Sequence, residues 1–229
     1  MNRIVPTLLV LGIVCAAGTQ DPPKPPPPPK APEPIVFDFE KDAVGATPKD
    51  FTVALTGGGP APAFAVQKDA DGKGQALVQS TTDDTDARFP LCVYDKWSGK
   101  DVRVTTRFKA VDGKVDRAAG LVVRTTDKDN YYIARANALE DNVRLYKVVK
   151  GARKQFAGEK AKVTSGEWHT LALEVRGDHF KVSFDGKQLF EGDDATFTEA
   201  GKIGVWTKSD SVTWFDDLKI EPLAAEPPK

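Results

Sequence analysis

The chain has 229 residues, enough for one domain with a full hydrophobic core plus appendages. Its 32 basic and 33 acidic residues nearly cancel, so no basic tract announces nucleic acid and no charge block an anionic membrane. Of two cysteines, Cys15 falls in the N-terminal apolar run; the remaining Cys92 has no partner for an internal disulfide and is expected as a buried core thiol.

Residues 1–18 carry one positive charge, then an apolar run, then small residues, the layout of a secretory signal peptide cut after Ala17 or Gly18. The apolar run is shorter than the ~20 residues of a membrane span. The chain is therefore expected to be exported, to a periplasmic or extracellular location. Acylation at Cys15 is the rival, but Gly12-Ile-Val before it fits a lipoprotein signal poorly. Residues 19–34 are proline-rich, and proline's missing donor and fixed φ make them an extended polyproline tether. Residues 35–223 form the single domain, and 224–229 a disordered tail.

Val36-Phe-Asp-Phe-Glu40 opens the domain, and Gly57-Gly-Gly-Pro-Ala-Pro62 is a loop. From Val102 to Ala110, apolar and charged residues alternate as in a strand with one buried and one wet face. The stretch Gly120–Tyr146 reads as three such strands, and Leu171-Leu173-Val175 and Phe180-Val182-Phe184 as two more. Asp185-Gly186 is a two-residue hairpin signal, and Asp112-Gly113, Lys150-Gly151 and Gly177-Asp178 punctuate similarly. No stretch shows a 3.6-residue apolar period. The fold class is an all-β, two-sheet antiparallel sandwich, with Phe108, Trp168 and Phe184 expected in its interior.

Side-chain parity selects a candidate face. With Leu121 and Val123 inward, Arg124 points out; with Tyr132, Ala134 and Ala136 inward, Arg135 and Asn137 point out. Likewise Arg144 and Tyr146 oppose Val143 and Leu145, Trp206 opposes Ile203 and Val205, and Glu174 opposes Leu173 and Val175. Guanidinium forks for hydroxyls and an aromatic plate for the apolar ring face make a mixture suited to carbohydrate. The rival reading is ordinary cross-strand ion pairing, and a one-residue register slip would reverse every assignment.

Two stretches, Gly120–Tyr146 and Gly166-Glu-Trp-His-Thr-Leu through Trp214-Phe-Asp-Asp-Leu-Lys-Ile220, resemble the concanavalin-A-like jelly rolls of secreted bacterial proteins. These are grouped as family-16 glycosidase-like or 3-keto-disaccharide hydrolase domains. The resemblance implies a ligand on the concave sheet and first and last strands lying side by side. Asp38 and Glu40 would then approach Asp216 and Asp217, a hard-oxygen set suited to a structural calcium, with solvated edge charges as the alternative. The Glu-x-Asp-x-x-Glu strand of family-16 enzymes is missing, and Glu174 is the only acid that parity puts on the patch, hence the catalytic candidate. His169 alternates with Leu171 as a structural residue would, and no spacing suggests zinc or a phosphate loop. Three functions stay open: an exported carbohydrate-binding module, an enzyme acting on 3-keto-disaccharides or glucosides, and an envelope domain with no small ligand.

Overall fold

The computed structural model describes residues 32–69 and 74–224. The expected signal peptide, most of the tether and the tail beyond Ala224 lie outside the described residues. Fifteen strands follow in chain order among the described residues: β1 Ile35–Phe37, β2 Phe51–Gly57, β3 Phe64–Lys68, β4 Gln75–Gln79, β5 Arg88–Gly99, β6 Val102–Asp112, β7 Ala118–Asp127 and β8 Asn130–Asn137. After them come β9 Asn142–Val149, β10 Ala152–Lys160, β11 His169–Arg176, β12 His179–Phe184, β13 Lys187–Asp193, β14 Gly201–Trp206 and β15 Val212–Pro222. No helix occurs among the described residues.

The strands form two antiparallel sheets. One runs β13-β12-β11-β6-β15-β4-β3, with β1 also on β15; the other runs β10-β9-β8-β7-β14-β5-β2. The terminal strands pair as expected, Ile35 opposite Ile220 and Phe37 opposite Leu218. The turns obey their residues: Asp185 and Gly186 sit at φ 48° and 77°, Lys150 and Gly151 at 50° and 80°. Two consecutive positive φ angles make the tight hairpin whose twist matches its strands.

Between the sheets lies one core, in which Leu121, Val123, Tyr132, Leu145, Val205 and Cys92 of one sheet meet Phe108, Leu173, Phe180 and Phe215 of the other. Each such buried aliphatic or phenyl side chain contributes about 1.5–3 kcal/mol. Phe108 and Phe184 are buried as expected. Trp168 is not in the core: it is half-buried, with Arg107 and Lys109 over its ring at 4.7 and 4.9 Å. It precedes β11, so the strand's alternation does not extend to it. His169 is structural, its Nδ1 2.8 Å from Asp185 Oδ2 and its Nε2 accepting the Thr164 N–H at 3.0 Å.

A second apolar cluster, comprising Phe89, Leu91, Val122, Tyr131, Ile133, Tyr146, Val148 and Trp206, covers the opposite face of the seven-stranded sheet. A sheet face turned away from the core is ordinarily polar. This one has a hydrophobic floor of its own.

Candidate functional site

The floor follows from alternation in five adjacent strands, β9-β8-β7-β14-β5. β8 turns Tyr131, Ile133, Arg135 and Asn137 outward while Tyr132, Ala134 and Ala136 enter the core. β9 turns Arg144, Tyr146 and Val148 the same way, and the register sets Arg135 directly opposite Arg144. Trp206 lies between β5 and β7, opposite Leu91 and Gly120. Glycine at 120 lets the indole pack closely, since a Cβ there would stand 3.1 Å from both the indole and Ile133 and push one of them aside. The indole stacks on Phe89 at 5.5 Å and 26°, and its Nε1 donates to Tyr131 Oη at 3.3 Å. Burial pushes the Tyr131 phenol up to about 12, so it remains a neutral link to Thr56 Oγ1 at 2.8 Å.

Above this floor sits Arg153. Its guanidinium carbon is 4.6 Å from the Tyr146 ring centroid, 4.9 Å from Phe89 and 5.8 Å from Trp206. Ring faces attract the cation but offer no lone pairs to its five N–H donors. Its buried Nη1 has no hydrogen-bond partner, and neither has the buried Nε of Arg135, whose guanidinium lies 5.5 Å from the same Tyr146 ring.

The polar rim is closely paired. Arg135 donates to Glu140 Oε2 at 2.8 Å and to Asn142 Oδ1 at 2.6 Å. Burial works against the Glu140 carboxylate, but the hydrogen bonds from Arg135 and Asn142 prevail and hold it at about 2. Asn137 donates to Asp116 Oδ1 at 2.7 Å and caps the β8–β9 turn through the N–H groups of Leu139 and Glu140. Lys208 lies 3.0 Å from Asp116 and 2.6 Å from Asp86. Burial raises the Asp116 carboxyl against the opposing charges of Arg135 and Lys208.

Of the residues expected on the patch, Arg135, Asn137, Arg144, Tyr146 and Trp206 share this face. Trp206 is no open stacking plate, however: its exposure is 0% and Arg153 and Phe89 cover it. Arg124 departs altogether. A bulge between Val123 and Asp127 breaks the register, Arg124 takes φ 49°, and its side chain is 1% exposed. Its guanidinium donates to the carbonyls of Lys100, Phe197 and Gly177, which makes it a loop clamp. Glu174 belongs to the other sheet, where Arg103 (3.7 Å) and Arg176 (3.1 Å) hold it. Parity gave its direction correctly, but parity says nothing about which sheet a strand joins.

Arg153 escaped the sequence reading although a signal existed. Counting back across the Lys150-Gly151 turn puts residue 153 opposite Val148, which shares its face with Tyr146. Asp116 and Lys208 come from segments without periodicity, and only the folded chain brings them together.

The expected calcium corner assembles strand by strand, but its acids are engaged. Arg107 lies 3.1 Å from Asp217 and 3.6 Å from Asp216, Glu40 accepts the Gln75 N–H at 2.9 Å, and Asp38 accepts that of Glu40 at 3.2 Å. Among the described residues no three His, Cys, Asp or Glu side chains converge on an ion position. Asp38, Glu40, Asp216 and Asp217 therefore do not fit a calcium cage, and the cation between the two aspartates is a guanidinium.

The architecture, two packed antiparallel sheets, is shared with solved β-sandwich domains. It is similar to a carbohydrate-binding module, CBM66 from Bacillus subtilis, at a TM-score of 0.57 and 23% identity over 74% of this chain and 94% of that one. Domain 4 of AbnA, an extracellular arabinanase from Geobacillus stearothermophilus in complex with arabinotriose, superposes at 0.53 with 17% identity, covering 84% and 92% of the two chains. The sequence is 32% identical over 113 residues to a levanase from Bacillus subtilis, which is 48% of this chain and 16% of the levanase. The family profile of 3-keto-α-glucoside-1,2-lyase-like domains matches residues 45–221, and the chain belongs to that family.

Proposed function

We propose that this is an exported glycan-binding domain that holds its ligand on the outer face of the seven-stranded sheet. The observation that carries this reading is the Arg153 guanidinium, fixed on the Phe89-Tyr146-Trp206 floor with donors that nothing among the described residues accepts. Exposed arginines normally find carboxylates or water; one immobilised on aromatic rings is preorganised for a ligand oxygen. The polysaccharide-linked relatives support the ligand class, and residues 1–18 support export. A glycan array probed with the parent and with Arg153→Ala tests it. Binding lost in the variant upholds the reading, and an array blank for the parent removes it in favour of a structural envelope domain.

One observation favours an enzymatic second reading. Asp116 lies 2.7 Å from Asn137 and 3.0 Å from Lys208, and burial raises its carboxyl, as suits an acid–base group. The family's name points to elimination from a 3-keto-glucoside, in which a base removes the proton beside the carbonyl. Turnover of 3-keto-glucosides that is abolished in Asp116→Asn would establish this reading over the first.

A further inference from the structure

The glycan face is not charge-balanced, and the imbalance bears on which glycans it takes; this inference rests on the binding reading above. Arg135 is paired with Glu140 at 2.8 Å, and Lys208 with Asp86 at 2.6 Å and Asp116 at 3.0 Å. These pairs use the carboxylates that line the face. Arg144 bonds only the neutral Oε1 of Gln155, at 3.1 Å. Arg153 has no hydrogen-bonded or ion-paired partner among the described residues; Asp116 and Asp86 act on it only at a distance, and Arg135 repels it.

A guanidinium taken out of water costs several kcal/mol unless opposite charge comes with it. The aromatic floor returns only part of that, about 0.5–2 kcal/mol for a cation over a ring. A sugar hydroxyl would satisfy one donor and leave the charge unmatched. An oxyanion would accept from the fork bidentately, through hydrogen bonds about twice as strong as neutral ones. Arg153 Nε and Nη2, unpartnered and not buried, are the donors left for it, while its Nη1 and the Nε of Arg135, either side of Tyr146, are closed off by the packing.

We infer that this face selects acidic glycans: the carboxylate or sulfate ester of a sugar residue lies against Arg153, with Arg135 and Arg144 supplying the surrounding positive field. The aromatic floor then acts on the ligand through the arginine it supports. Selection by charge also explains why this face leaves a cation unpaired although the full chain's net charge is only −1. The missing anion arrives with the ligand.

The test uses the full chain labelled with nitrogen-15 and three probes: glucuronate, glucose 6-sulfate and methyl glucoside. The arginine Nε–H resonances are followed at low and high salt. The acids should move the Arg153 and Arg135 signals and bind about tenfold or more tightly than methyl glucoside, the scale of one charge-assisted hydrogen bond. Their advantage should shrink with salt and vanish in Arg153→Gln, whose melting temperature stays at or above the parent's because it removes an unpaired charge. The tighter of the two acids tells carboxylate from sulfate. Equal affinity for methyl glucoside would overturn charge selection and leave the glycan reading standing. Silent resonances with all three probes would overturn it too, and a glycan array then decides the broader reading separately. An acid preference retained in Arg153→Gln would overturn the assignment to Arg153.

Discussion

Replacing Arg124 by methionine should unfold the domain at a markedly lower temperature, although the sequence pattern places this residue on the outward candidate ligand face. Its guanidinium donates to Lys100 O at 3.0 Å, Phe197 O at 2.7 Å and Gly177 O at 2.6 Å, with Asp101 Oδ1 3.5 Å away. Those carbonyls belong to three separate connections: β5–β6, β13–β14 and β11–β12. Methionine keeps the apolar stem and removes every donor. Each carbonyl left facing a dry space costs about 1–3 kcal/mol; partial access of water and loop relaxation reduce the total to about 3–5 kcal/mol, the range for breaking a buried charged network. In a domain of this size, 1 kcal/mol shifts the melting temperature by about 2–4 °C. The expected drop is therefore roughly 6–20 °C, measured by calorimetry and by urea titration, with Arg144→Met as the control. A shift of Arg124→Met no larger than that of the control would refute the clamp.

Arg144 bonds only Gln155 and is partly exposed, so Arg144→Ala should change stability by less than about 1 kcal/mol in urea titration. Trp206→Ala should cost about 3–5 kcal/mol as a buried large-to-small change, so lost binding in that variant reports a collapsed floor unless chemical denaturation shows it intact. Asp216 is raised to about 6, first by burial and then by Asp217 and Glu40, against the pull of the Asp217 N–H and Arg107. Because the folded pKa exceeds the unfolded value of about 3.9, the native state holds this proton more tightly. That contribution is full below about pH 4 and lost as pH rises through 6. Asp216→Asn should accordingly raise the stability at pH 8 by on the order of 2 kcal/mol in urea titration, and the gain should fade towards pH 4; a pH-independent difference would contradict it. Because Arg107 occupies the aspartate corner, calcium chelation should leave the melting curve where it is, and a drop in chelator would restore the metal site.

The sequence by itself determined the sandwich, its hairpins and the inward and outward sides of most strands. Those properties are local: the two-residue period of Val102–Ala110 and Tyr131–Asn137, and the positive φ that Asp185-Gly186 and Lys150-Gly151 adopt readily. It also placed Arg135, Asn137, Arg144 and Tyr146 on one face, because neighbouring strands joined by short turns keep their register. Only the tertiary structure decided what those residues do. The bulge that turns Arg124 into a clamp depends on Gly201 of a distant strand, where a Cβ would stand 2.3 Å from the Arg124 carbonyl carbon. The sheet to which Glu174 belongs is set by its pairing with Arg103 on β6, not by its own alternation. The burial of Trp206 comes from Phe89 and Arg153, distant in sequence, closing over it. Alternation reports which way a side chain leaves its strand; what meets it there is settled by long-range packing, and long-range packing built this site.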